Sequence, residues 1–389
     1  MLIAVSVACG WTAWSGHVLA LPVAVLFPTL WAMSPSRLTA VFVSAGYFLA
    51  ASRGLPQGVA TFYGADLWPG LLLWTATSLS FAGVHAALWK ARPEGKFPKV
   101  DRTGMAMAAR YLAAAMLLGL PPLGITGWAH PLTATGVLFP GWGWWGLVAM
   151  TAGLAIMTSR CWPAAAIILG GFWLWSAATW TSPNLPEGWK GVDLEMGEKL
   201  GRDGSLGYHR DLIATVRAVA GVESRFVVLP ESALGLWTPT VEKLWSQGLR
   251  GSELTVIAGA AVIDPGGYDN VLVTVSADEA RIIYRQRMPV PVSMWQPWRA
   301  WTGQDGGARA NLFGSPVVHN DGRKVAVLIC YEQLLLWPVL QSMLHSPTAI
   351  VAPGNGWWTA GTSIVAIQNA SVVAWAKLFA LPVVTALNT

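Results

Sequence analysis

Two short stretches carry side chains that can do covalent chemistry. "VVLPESALGLW" (227–237) is an apolar run ending on Glu231, and "VAVLICYEQLLLWP" (325–338) is one ending on Cys330. Both runs read as buried strands. In α/β folds, residues just past the carboxyl ends of strands form the active site. A thiol is a weak nucleophile at its ordinary pKa of about 8.5 and needs a neighbouring base. A carboxylate and a thiol on adjacent strand ends can supply that pair. Each residue also has a plain reading. A cysteine at a strand end packs as a small apolar residue, and an acid after a proline belongs to a solvated loop.

The elements around them alternate between strand and helix. Strands are expected at 191–197, 225–231, 254–264, 324–330, 348–355 and 381–388. A hairpin is expected over 270–287, with its turn near Asp278. Helices are expected at 208–221, 332–344 and 363–380. This is an α/β domain with helices covering the sheet.

The N-terminal half has another character. The chain has 389 residues, of which 54% are hydrophobic and only 12% charged. Soluble proteins have about 25% charged residues. The deficit lies in residues 1–181, so a helical membrane domain at 1–181 and an extracytoplasmic α/β domain at 182–389 are expected. Apolar segments at 2–16, 17–33, 38–52, 67–89, 105–125, 142–159 and 161–180 give about seven spans. Six remain an alternative, as does a span formed by 364–386 itself, where Gln368, Asn369 and Lys377 are costly. The basic loop Lys90–Arg102 is expected in the cytoplasm. The N-terminus is then cytoplasmic and the α/β domain periplasmic, at the inner membrane.

The net charge of +5 sits largely in that loop, so no direct nucleic-acid binding is expected. The three cysteines show no metal or disulfide spacing, and the six histidines no H-E-x-x-H pattern. No metal or cofactor is expected.

The two motifs, in this order and about 100 residues apart, resemble the carbon–nitrogen hydrolase (nitrilase) superfamily, an α-β-β-α sandwich. Apolar segments placed before such a domain are similar to the layout of the apolipoprotein N-acyltransferases. The compact length and motif wording resemble a family of conjugal transfer proteins from agrobacterial and rhizobial plasmids. The resemblance implies Glu231 as base and Cys330 as nucleophile. It also implies the backbone N–H of Tyr331 as an oxyanion donor and Glu332 as the acid that follows the nucleophile by two. The superfamily's lysine falls on Gln286, within "YRQRMPVPVSMW" (284–295), and an acid usual after the Val-Pro is lost near Met294. Arg285 and Arg287 flank Gln286 but point to the opposite face of a strand. In "VAPGNGWW" (351–358), Asn355 is kept and Gly356 replaces an acid. Trp295, Trp298, Asn355 and Trp357 are expected to bind substrate. Trp295, Trp298 and Trp301 either face lipid or pack under a loop. The acyltransferases continue beyond the point where this chain ends, with two strands and a returning helix. The implied activity is acyl transfer or hydrolysis through a cysteine thioester, with a phospholipid or acylated substrate and conjugation proteins as partners. The alternative is a degenerate binding or assembly factor.

Overall fold

The computed structural model describes residues 1–91, 102–201, 204–221, 224–304, 306–320 and 322–389. Apart from its ends, the basic loop Lys90–Arg102 lies outside the described residues.

The chain forms two compact units. Met1–Pro183, Leu334–Trp337 and Gly361–Ala380 make the first, and Asn184–Gln333, Pro338–Ala360 and Leu381–Thr389 the second.

The first unit is helical. Its N-terminal part holds α1 (Leu2–Ala13), α2 (Phe27–Ala32), α3 (Arg37–Ala51), α4 (Leu55–Tyr63) and α5 (Leu67–Leu88). Then follow α6 (Arg102–Gly119), α7 (Thr135–Leu138), α8 (Gly143–Met157) and α9 (Trp162–Ala178). Close backbone approach requires glycine where α1 meets α3. A Cβ on Gly10 would lie 2.3 Å from the Tyr47 carbonyl oxygen. Phe27 stacks on Tyr47 at 4.4 Å, and the Trp14 indole donates to the Tyr47 hydroxyl at 2.8 Å.

The seven-span expectation is not met. Among the described residues, one helix is long and apolar enough to cross a membrane, Leu67–Leu88. A second qualifies if α3 and α4, bent by 49° at their junction, count as one span. The reason is length. A helix rises 1.5 Å per residue and a hydrocarbon core is about 30 Å thick. The 12 residues of α1 and the 15 of α8 fall short. Segment 17–33 divides into a 3-10 stretch containing Pro22 and the six-residue α2. Segment 105–125 stops as a helix at Gly119, ahead of Pro121 and Pro122. Apolar composition alone did not reveal these breaks.

The second unit is a two-sheet sandwich. In chain order its elements are β1 (Trp189–Gly191), α10 (Leu206–Ala220), β2 (Phe226–Val228), α11 (Pro239–Gly248), β3 (Thr255–Asp264), β4 (Gly267–Val275) and β5 (Ala280–Arg285). There follow β6 (Val317–Asn320), β7 (Arg323–Val327), α12 (Leu336–Met343), β8 (Ala349–Asn355), α13 (Ile364–Leu378) and β9 (Val383–Asn388). One sheet runs β1-β2-β3-β4-β5 and the other β6-β7-β8-β9. In the first, β1, β2 and β3 are parallel, and β4 and β5 add on antiparallel. In the second, β7, β8 and β9 are parallel and β6 is an antiparallel edge.

The period-two rule sorts the strand residues into layers. Val227, Val256, Val271 and Val273 face α10 and α11, packing with Leu212, Val216 and Trp245. Their neighbours Phe226, Val228, Ile257 and Leu272 face the second sheet, meeting Val325, Val327, Val351 and Val384.

The interleaving of the two units departs from a single boundary after residue 181. Helix α13, expected to cover a sheet, belongs to the first unit, where Ala370 and Ala374 are core residues. Its small side chains allow backbone contact with α7. A Cβ on Gly136 would lie 1.6 Å from the Ala374 carbonyl oxygen.

Candidate active site

Glu231 and Cys330 meet, but not as neighbours in one sheet. Glu231 follows β2 in the first sheet, and Cys330 follows β7 in the second. The pair forms across the sandwich, where strand ends of both layers converge. Both are buried, at 4% exposure each.

The loop bearing Glu231 lies directly on β3. A Cβ on Gly259 would fall 2.5 Å from both the Glu231 Cα and the Ser232 nitrogen, so only glycine fits there. Ser232 turns through φ 65°. Cys330 itself stands at φ 46°, a left-handed conformation that non-glycine residues rarely adopt. Such strain costs about 1–3 kcal/mol and persists where surroundings over-determine it. Here they do. The Gln333 side-chain amide donates to the carbonyls of Leu328 (3.0 Å) and Pro353 (2.9 Å), and the Glu332 carboxylate accepts the Ile329 N–H at 2.8 Å.

The Cys330 thiol hydrogen-bonds to the Glu231 carboxylate. Asn270 on β4 donates to Glu231 Oε1 at 2.5 Å, and the backbone N–H of Asn355 also acts on this carboxylate. Burial pushes the Glu231 pKa up to about 7, with the hydrogen bonds from Cys330 and Asn270 opposing it and the Glu332 charge adding to it. No cation is among the groups that act on it. A carboxylate with a pKa near 7 in contact with a thiol has the properties of a general base at neutral pH.

Gln286, at the superfamily's lysine position, is fully buried and joined to the same network. Asn270 Nδ2 donates to Gln286 Oε1 at 2.9 Å, and Gln286 Nε2 donates to the Ile329 carbonyl at 3.1 Å. The flanking arginines do not replace the lysine charge. Arg285 pairs with Asp269. Arg287 is fully buried and pairs with Glu332 at 3.8 Å, while its guanidinium donates to the carbonyls of Pro338 and Val327.

Glu332 is therefore a structural hub. Its carboxylate accepts from the Tyr284 hydroxyl (2.9 and 3.0 Å), from the backbone N–H groups of Arg287 (2.6 Å) and Met288 (3.2 Å), and from Ile329. Burial raises its pKa and Arg287 opposes that. The geometry gives Glu332 the job of fixing the turn that presents Cys330. Tyr331 is the second residue of that 3-10 turn, so its backbone N–H lies next to the thiol. Asn355 contributes its backbone to Glu231, and its side-chain oxygen accepts from Asn388 Nδ2 at 2.8 Å. Trp357 is half-buried on the turn after β8. Trp295 is half-buried, while Trp298 and Trp301 are exposed.

Sequence reasoning missed Asn270. An asparagine within the apolar strand "YDNVLVTV" was the available signal, because strand interiors disfavour it. Among the described residues, no group of three or more His, Cys, Asp or Glu side chains could hold a metal ion.

Residues 49–377 match the carbon-nitrogen hydrolase family. The chain belongs to the carbon–nitrogen hydrolase family. It is 70% identical, over its full length and 92% of the relative, to the conjugal transfer protein TraB of Agrobacterium fabrum. It is 60% identical, over its full length and 98% of the relative, to a probable conjugal transfer protein TraB of Sinorhizobium fredii. Its likeness to solved carbon–nitrogen hydrolases is more distant. A mutant of the Nesterenkonia AN1 amidase from the nitrilase superfamily matches 52% of this chain and 78% of its own, with 12% identity and a TM-score of 0.37. A carbon–nitrogen hydrolase from Helicobacter pylori matches 51% and 73%, with 15% identity and a TM-score of 0.38.

Proposed function

We propose that this chain is a conjugal transfer protein whose carbon–nitrogen hydrolase unit forms an acyl thioester on Cys330. The observation that carries this reading is the hydrogen bond between the Cys330 thiol and the buried Glu231 carboxylate. Glu231 takes the thiol proton as the sulfur attacks the carbonyl carbon of an acyl donor. The bond to the leaving group breaks, and that group departs with the proton from Glu231. An amine or water then attacks the thioester and gives its proton to Glu231. The carbon–sulfur bond breaks and the sulfur recovers that proton. The Tyr331 backbone N–H and the second Nε2 hydrogen of Gln286 serve as neutral oxyanion donors. Losing one such donor costs about 10²–10³ in rate, so a glutamine in place of a lysine slows the chemistry without abolishing it.

The acyl donor is a phospholipid or an acylated molecule at the inner membrane, and the hydrolase unit lies on the periplasmic side. Exposed apolar side chains on α5 (Trp68, Leu72), α8 (Trp145, Val148) and α9 (Ile167, Trp175) support membrane association of the helical unit. Other conjugation proteins are its partners.

One observation favours a second reading, a binding or assembly factor without turnover. Among the described residues, no cation faces the dyad, and Asn270 spends both amide hydrogens within the protein. Mating assays decide between the two. In the first reading, Cys330→Ala lowers plasmid transfer to the level of a deletion. Wild-type transfer by a stably expressed Cys330→Ala protein would establish the second.

A further inference from the structure

Asn270 is 3% exposed on β4, and the backbone N–H of Gln286 donates to its carbonyl at 2.8 Å, which locks the two residues in register. Its single side-chain nitrogen serves two acceptors, Glu231 Oε1 and Gln286 Oε1. An amide nitrogen has two hydrogens, so both are committed. This fixes more than Glu231. With Gln286 Oε1 turned toward Asn270, Gln286 Nε2 must turn the other way, to the Ile329 carbonyl one residue before Cys330.

We propose that Asn270 is the positioning residue of this site, setting through one amide both the orientation of the base Glu231 and the direction in which Gln286 presents its N–H groups. The proposal rests on the reading of Glu231 and Cys330 as base and nucleophile. Where a lysine would hold the base in place by charge, here an asparagine holds it by one hydrogen bond and uses its other amide hydrogen to tie Gln286. A leucine at position 270 would suit the apolar strand better on propensity and burial alone. Three buried polar side chains linked in one chain are tolerated because each is satisfied by the next.

A merely structural asparagine and a positioning one differ in their effect on titration. The titratable groups that act on Glu231 from the packed elements are Cys330 and Glu332 after β7, with Tyr268 coupled to it from β4. Tyr268 is pushed up to about 12 by burial and stays neutral in the assay range. Glu332 is common to all variants, so its influence cancels between them. Removing the Asn270 donor removes a bond that favours the charged carboxylate.

The experiment is alkylation of Cys330 by iodoacetamide in the full-length protein in detergent. It is followed on the Cys330 peptide by mass spectrometry between pH 5 and 9. Wild-type protein is expected to show a rate that rises with the ionisation of Glu231, and Glu231→Gln to lose that rise. Asn270→Leu is expected to move the midpoint up by about one to two pH units. Asn270→Ser keeps a small polar group in the strand if the leucine variant fails to fold. Its hydroxyl is too short to reach the carboxylate, so the same upward shift is expected. An unmoved midpoint in both Asn270 variants, or a rate lowered equally at every pH, overturns the proposal. A wild-type profile in Glu231→Gln instead overturns the base assignment on which it rests, so the two failures are told apart.

Discussion

Replacing Glu231 by glutamine should make the fold less sensitive to alkaline pH. Burial raises the Glu231 pKa from 4.5 to about 7. One unit corresponds to about 1.4 kcal/mol. An acid whose folded pKa is raised binds its proton more tightly in the native state. Its stabilising contribution is complete below pH 4.5 and is lost as pH rises through 7. The full difference is about 3 kcal/mol, and most of it, about 2–3 kcal/mol, is lost between pH 5 and pH 8. Glutamine carries no such charge and keeps an oxygen for the Asn270 amide. Relative to wild type, Glu231→Gln should therefore gain about 2–3 kcal/mol on going from pH 5 to pH 8. With unfolding entropies typical of domains this size, that is about 5–10 °C in melting temperature. Tryptophan fluorescence melts of both proteins at the two pH values measure it. A wild-type-minus-variant difference that does not change with pH would show that Glu231 ionises as an ordinary acid, and the buried neutral dyad would be wrong.

Three further outcomes follow from the same geometry. Gln286→Lys places a cation beside Glu231, so the midpoint of Cys330 alkylation should fall toward the ordinary carboxylate range and thioester formation should rise by about 10²–10³; single-turnover acylation measures the second. Gly259→Ala drives a methyl group into the Glu231 loop. It should cost about 1–3 kcal/mol in urea unfolding and also abolish the Glu231-dependent rise in alkylation. Glu332→Ala leaves Arg287 buried without its ion partner, with an expected loss of about 3–5 kcal/mol by the same unfolding assay.

The ends of the apolar runs were the most readable part of the sequence. β3, β8 and β9 lie within the apolar stretches that suggested them, and β7 overlaps its stretch but starts one residue earlier and stops at Val327, because continuous burial on both faces leaves an unbroken signal. Edge elements left weaker traces. The β6 strand "VVHN" and α11 over Pro239–Gly248 were not anticipated, the one too short and the other too mixed in polarity. Sheet membership was not legible either. Glu231 and Cys330 look like neighbours in a single sheet when only strand order is known, and the crossing between two sheets arises from pairing partners far apart in sequence. The network behind the dyad was half legible. Gln286 stood out as a departure at a motif position. Asn270 did not, because its role depends on reaching two residues, 39 and 16 positions away. In the first unit, mean apolarity overstated helix length. Pro22 and the paired prolines at 121 and 122 interrupt segments whose composition alone suits a span.

The sulfur of Cys330 offers the most direct test. Chain purified from cells undergoing conjugation can be digested and searched for an acyl group on the Cys330 peptide that hydroxylamine removes. The account predicts this adduct in the wild-type protein. In Glu231→Gln its formation should slow by about 10²–10⁴, and in Cys330→Ala it should be absent. A Cys330 peptide that stays unmodified in transfer-competent cells, even when the second half-reaction is slowed at low temperature, would contradict it.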